Sequence, residues 1–462
     1  MDMNDTDLVK QRVWQRIDER AVDLTAFLAA YVQRRSVNPG RAPEDEPGET
    51  RTCQAWLAAE LAAWEVFDRI DVWDGAPNQP NIAAIIGGRG GVGQDLLYNG
   101  HTDTVGVSAE QRASWRGGDP WSGEIADGNL YGRGATDMKG GNAAFLWAAR
   151  MLRECGFTPA ARCVATISIG EETSEAEIGP LSVLARGYRA PLAINGEPTR
   201  LQIAPAGMGW FFFQIDVTGK SLHPAARYSA VYPQASTAPL PGVDAIEKMR
   251  TIMDALSALD RDWSLHEKHP LMPPGGMNLS PVQIGGGALR AEMPPACSAT
   301  YAVVVQPAAD CAAVLAEIER AVAAVTATDR WLRDHPPRVT CPVIHRVLPP
   351  LDVPQDHPGV LALARASREA LAREPVIGCF PGPCDANIMA AADQPTIIFG
   401  PGDLGYGAHG ANEFVPVQQV IDACKVYAGL IVDWCGMGDE GERGTRGNGG
   451  MGGERDWRRA GR

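Results

Sequence analysis

Four short apolar runs, each stopping at or leading to a residue able to hold a cation, constrain the fold of this chain more than anything else in it. Leu96-Leu97-Tyr98 leads into Gly100-His101-Thr102-Asp103, and Val164 to Gly170 ends in Glu171-Glu172-Thr173. Leu192-Ala193-Ile194-Asn195 ends in Gly196-Glu197-Pro198-Thr199, and Thr396-Ile397-Ile398-Phe399 runs through Gly400-Pro401-Gly402 towards His409. Short β-branched runs bounded by Gly, Pro and polar residues and spaced by helical segments read as a buried sheet. The expected fold class is therefore α/β with a central, mostly parallel sheet. In such sheets ligands bind beyond the carboxyl ends of the strands, where all four runs deliver their polar residues.

A chain of 462 residues is too long for one ordinary core, which predicts two or three domains. Apolar residues at helical spacing from about 7 to 35 predict an amphipathic opening helix. Helices are also expected over Thr52–Trp64 and Lys139–Cys155, the last entered from Gly134-Ala135-Thr136-Asp137. Near Pro205 the texture changes: a strand from Gly209 to Val217, a helix from Asp244 to Leu259, a strand from Ser298 to Val305 and a helix from Ala308 to Ala327. After Pro349-Pro350 the α/β texture resumes with a helix over Gly359–Arg373. The simplest account is a catalytic domain (1–205 and 348–435) interrupted by an inserted α+β domain (206–347). The tail, 436–462, is glycine-rich and poor in apolar residues, which predicts disorder.

Charge and composition exclude several function classes. A net charge of −14 argues against a nucleic-acid surface, which needs clustered Lys and Arg. No apolar stretch approaches the roughly 18 residues of a membrane span, and the acidic start Met1-Asp2-Met3-Asn4-Asp5 is unlike a signal peptide. Ten scattered cysteines without a C-x-x-C pair indicate neither a thiolate zinc site nor a disulfide framework, so a reducing cytoplasm is the expected compartment.

The polar residues at the strand ends carry chemistry. His101 and Asp103, two apart on a strand, share a face. An imidazole that binds a metal usually gives its other N–H to an orienting group, and Asp103 is placed to be that group. His101, Asp137, Glu171, Glu172, Glu197 and His409 offer nitrogen and oxygen donors without cysteine, a set suited to zinc, cobalt or manganese. Two such ions can share one carboxylate, and Asp137, a lone acid in a Gly-flanked loop, is the natural bridge. Of the adjacent Glu171 and Glu172, facing different ways in extended chain, one can bind metal while the other acts as general base.

Six motifs then appear in order: Gly-His-Thr-Asp-Thr-Val (100–105), Gly-Arg-Gly-Ala-Thr-Asp-Met-Lys-Gly-Gly (132–141), Gly-Glu-Glu (170–172), Gly-Glu-Pro-Thr (196–199), Gly-Lys-Ser-Leu-His (219–223) and Gly-Ala-His-Gly-Ala-Asn-Glu (407–413). Over about residues 15 to 435 the chain resembles the co-catalytic zinc metallopeptidase and amidohydrolase family. That family includes acetylornithine deacetylase, succinyl-diaminopimelate desuccinylase, aminoacylase and glutamate carboxypeptidase. The resemblance implies two divalent metal ions, zinc first, with His101, Asp137 and Glu197 around one and His409, Asp137 and Glu172 around the other. It implies that Asp103 supports His101, that Glu171 is the base, and that the Asp137-Met138 peptide is cis. It also implies a homodimer through the inserted lid, from which His223 reaches an active site, often the partner's, to stabilise the oxyanion.

Two features depart from that pattern. Many relatives carry a lid Asn and a following Arg that grip a substrate carboxylate, but here the corresponding stretches are Ala291-Glu292-Met293-Pro294-Pro295 and Tyr301 to Gln306. Valine cannot imitate the bidentate fork of arginine; Arg227 or Arg290 could replace it, but a solvent-exposed arginine is the expected role for each. A long loop, 225–241, also follows His223. The expected function is metal-dependent hydrolysis of an amide-type C–N bond in a small molecule, with an aromatic or weakly charged leaving group. The alternatives are a dipeptidase or carboxypeptidase, and a metal-free binding protein. The second is disfavoured because a retired site has no reason to keep so many charged groups together. The segment Gly378 to Asn387 is expected to line the pocket, with Cys384 a packed thiol.

Overall fold

The computed structural model describes residues 5–39, 49–224, 242–273, 275–287, 291–343 and 346–438. The loop 225–241 with Arg227, Arg290, and the tail beyond 438 lie outside the described residues. The first residues of that tail are held in place: Met437 bridges to Pro159 and the Gly438 amide donates to the Thr158 carbonyl.

Nine strands form the main sheet. Its centre is parallel, in the order Cys163–Ser168, Leu96–His101, Leu192–Asn195 and Thr396–Ile398. These are the four runs read from the sequence, and their carboxyl ends lie side by side. The margins are antiparallel: Gln79–Ile86 and Arg69–Ala76 on one side, Ile203–Gly207 with Leu351–Asp352 on the other. Ile377–Phe380 pairs in parallel with Ile203–Gly207. The helix Gly140–Glu154 packs against the sheet and is buried on nearly every side, along with Val417–Cys435 beside it. Buried side chains from both, with Tyr98, Ile167, Leu192 and Phe399 of the sheet, form the principal core.

The single opening helix expected from 7 to 35 is two, Asp5–Glu19 and Ala21–Gln33, broken at Arg20 (φ −108°, ψ 18°). Periodicity registers apolar stripes, not a turn between them. The break lets Val13 and Ile17 on one segment and Leu24, Phe27 and Leu28 on the next reach the same core.

A smaller antiparallel sheet follows, ordered Asn278–Gly286, Ala296–Val305, Gly209–Thr218 and Arg338–Thr340. Alternate residues of Gly209–Thr218 point inward, so Phe211, Phe213, Ile215 and Val217 are buried beneath the helices Ala245–His266 and Cys311–Thr328. This α+β unit has its own core, and the chain rejoins the main sheet at Leu351. No helix among the described residues is long and apolar enough to cross a membrane.

Candidate metal centre

The site forms where the parallel strands end. Gly100 permits the approach of the helix behind it, since a Cβ there would lie 2.0 Å from Asn142 Oδ1. Asn142 donates to the His101 carbonyl at 2.7 Å and accepts from the Tyr98 hydroxyl at 3.0 Å, fixing the strand end. His101 is fully buried, and its Nδ1 meets the main-chain carbonyl of Asp103 at 2.9 Å. The Asp103 carboxylate, expected to orient the ring, is 3.7 Å away. It accepts instead from Asn38 Nδ2 and the Glu172 amide. The chain curls at Asp103, turning its carbonyl rather than its side chain towards the ring.

His101 Nε2 faces Asp137 Oδ1 at 3.2 Å and Glu197 Oε1 at 3.4 Å. His409 Nε2 faces Asp137 Oδ2 at 3.2 Å and Glu172 Oε2 at 3.0 Å. Two donor clusters result, His101–Asp137–Glu197 and Asp137–Glu172–His409, each with its ligand atoms within 4.8 Å of one another. Asp137 belongs to both and turns one oxygen to each. The Asp137-Met138 peptide is cis.

Glu171 and Glu172 sit on a turn, not in extended chain: the Ser174 amide donates back to the Glu171 carbonyl at 2.8 Å. The turn separates them all the same. Glu172 joins the second cluster, while Glu171 Oε2 stays 3.9 Å from His101 Nε2 and lines a cavity of about 310 Å³. His223, expected to reach an active site, is exposed just beyond the strand Gly209–Thr218 and is not among the residues that line this cavity.

The donor set fits divalent cations. His101 Nε2 is buried and close to two carboxylates, yet it makes no hydrogen bond of acceptable geometry. Burial pushes Glu197 up to about 7, with the Asp137 charge adding to the effect. Burial likewise raises Glu171 well above the usual carboxylate range, and Glu172 to a smaller degree. Burial would also raise Asp137, but the imidazoles of His101 and His409 outweigh it and hold the carboxyl low. Asp137 and Glu172 hold His409 up to about 11, and burial of His101 is outweighed by Asp137 and Glu197. Buried carboxylates gathered this closely need positive charge beside them. Nitrogen and oxygen donors without thiolate match zinc, cobalt or manganese chemistry.

Sequence reasoning gave no role to the pair that holds the Asp137 loop. Glu413 accepts from the amides of Gly134, Thr136 and Asp137 at 3.0 to 3.1 Å and from Arg133 Nη1 at 2.6 Å. Arg133 also donates to the Gly410 carbonyl at 2.9 Å, next to His409. One buried ion pair thus ties together the loops carrying Asp137 and His409. Both residues lie within quoted motifs, which was the only available signal. Replacing Glu413 by Ala strands Arg133 and three amides, so an unfolding free energy lower by about 3–5 kcal/mol is expected in urea titration. A loss under about 1 kcal/mol would show that the pair does not hold these loops.

The cavity also takes in Gly382, Pro383, Cys384 and Asp385 from the segment expected to line it. The Cys384 thiol is buried and pushed far up by that burial, as a packed thiol would be.

Comparison with known proteins agrees with this geometry. Residues 97–433 match peptidase family M20/M25/M40. The chain is 32% identical over 433 residues to the N-formyl-4-amino-5-aminomethyl-2-methylpyrimidine deformylase of Bacillus subtilis (strain 168), covering 91% of this chain and 96% of that protein. It is 27% identical to the succinyl-diaminopimelate desuccinylase of Dinoroseobacter shibae (strain DSM 16493 / NCIMB 14021 / DFL 12), covering 89% and 99%. Human carnosine dipeptidase 1 shares the fold, with a TM-score of 0.63 at 17% identity over 92% of this chain and 99% of that one. Taken with the shared motifs and the paired donor clusters, these matches establish that the chain belongs to peptidase family M20/M25/M40, as a metal-dependent hydrolase.

Proposed function

We propose that the protein hydrolyses the amide C–N bond of a small N-acyl amine, a formamide of a heteroaromatic methylamine above all, using two divalent cations and Glu171 as general base. The observation that carries this reading is the division of Asp137, with Oδ1 towards His101 and Oδ2 towards His409. His101, Asp137 and Glu197 would hold one ion, and Asp137, Glu172 and His409 the other, zinc being the first candidate. When bound, such a pair acidifies a shared water and polarises the scissile carbonyl.

The protein's own groups do the rest. The Asp103 carbonyl sets the tautomer of His101, leaving Nε2 as a donor atom. Glu171 takes a proton from the attacking water and delivers it to the departing nitrogen. The C–N bond breaks, and the products are a carboxylate and an amine. His223, exposed on the lid, would serve the cavity of a second subunit and donate to the oxyanion. The exposed edge strand Asn278–Gly286, with Val282 and Ile284 each 53% exposed, offers the lid a surface for that dimer.

The deformylase similarity and the absence of the lid Asn and Arg both favour an uncharged or cationic amine over an amino-acid product. The test is a panel of N-formyl aminomethylpyrimidine, N-succinyl diaminopimelate and dipeptides, with metal content and light-scattering mass measured on the same preparation. The expected outcome is turnover of the formamide by protein holding about two ions per chain and having the mass of two chains. Turnover confined to dipeptides would reject the substrate class. A chain that binds under one equivalent of zinc, cobalt or manganese would reject the mechanism.

A further inference from the structure

The cavity beside Glu171 is divided in its chemistry. Ala176, Leu348 and Ile388 form a small buried apolar cluster with Trp210 packed against it, and all four line the cavity. Besides the Cys384 thiol, its ionisable lining is Glu171, Glu172, Asp385 and His409, with no lysine or arginine among the described residues. Asp385 belongs to neither histidine cluster. It begins the helix Asp385–Ala391 and is 4% exposed. Its Oδ2 accepts from Asn99 Nδ2 at 3.2 Å and from Ser168 Oγ at 3.3 Å, while the described residues give Oδ1 no hydrogen-bond donor.

We propose that Asp385 is a specificity-determining residue for the leaving amine, its Oδ1 accepting a hydrogen bond from an amino group on a flat heteroaromatic ring that lies against Trp210, Leu348 and Ile388. This rests on the amide-hydrolase reading above. Donors from two different strands pin the carboxylate through Oδ2, so it cannot swing away and keeps one oxygen available. An aromatic amine answers both parts of the cavity, with apolar faces for the hydrocarbon wall and an N–H for the acid. A leaving group bearing a carboxylate would instead have to sit against the Asp385 carboxylate, with no lysine or arginine among the described lining residues to pair with it. A substrate lacking the ring amino group leaves a buried acceptor without its donor, the kind of loss that discriminates strongly.

The probes are the N-formyl derivatives of 4-amino-5-(aminomethyl)pyrimidine and of its analogue without the ring amino group, each given to the metal-loaded full chain. Wild type should favour the amino compound by roughly 10- to 100-fold in kcat/KM, the range of one hydrogen bond to a charged group. In Asp385→Asn that ratio should fall towards one. Equal turnover of the two probes by wild type needs no variant to interpret: it overturns the role of Asp385 and leaves the amide-hydrolase reading standing. An unchanged ratio in folded Asp385→Asn does the same. Turnover of neither probe by protein that cleaves other amides overturns both the role and the heteroaromatic substrate class.

Discussion

Glu171→Gln is expected to lower kcat about 10³-fold while leaving metal content unchanged, because the proposed general base could then no longer accept a proton. The geometry separates this residue from the donors around it. Glu171 Oε2 stands 3.9 Å from His101 Nε2 and outside both clusters, while its neighbour Glu172 lies 3.0 Å from His409. Glutamine keeps the shape and removes the basicity, so the fold should survive. Single-turnover kinetics on the formamide, with metal analysis of the same sample, would check the result. A kcat within about tenfold of wild type would remove Glu171 from the proton path.

Asp137→Asn should be the most damaging change to metal binding, because both clusters share this one carboxylate. Loss of His409 leaves His101, Asp137 and Glu197 together and should cost one ion. Loss of the Asp137 charge should weaken both proposed positions at once, and activity should fall by about 10³-fold or more. Titration of zinc into chelator-treated protein, followed by calorimetry, would distinguish the two variants. Asp137→Asn binding as much metal as wild type, while His409→Ala loses it, would contradict a shared carboxylate. The two amides that Glu413 holds at Thr136 and Asp137 do not depend on the Asp137 side chain, so this variant should fold.

Much of the site was legible because its residues stand at the ends of recognisable runs. His101, Glu171, Glu172, Glu197 and His409 each follow an apolar run now seen as a strand in the parallel centre of the sheet, and parallel strands deliver their ends to one edge. Errors arose where a side chain's direction depends on a local turn. The i, i+2 rule placed the Asp103 carboxylate beside His101, but the strand ends at His101 and the carbonyl takes that place. The same rule described Glu171 and Glu172 as extended, where a turn folds them. The opening helices show a related limit, since periodicity continues across a break that only packing against a shared core requires.

The sequence by itself determined the layered α/β plan, the inserted α+β unit and the residue types able to hold two cations, because periodicity and donor chemistry are properties of short stretches. Tertiary structure alone decided which groups meet. Arg133 and Glu413 lie 280 positions apart and Asn99 and Asp385 lie 286 apart, yet each pair is in hydrogen-bond contact. No local pattern encodes such contacts, because they are fixed by how helices and strands from both ends of the chain pack on a common sheet.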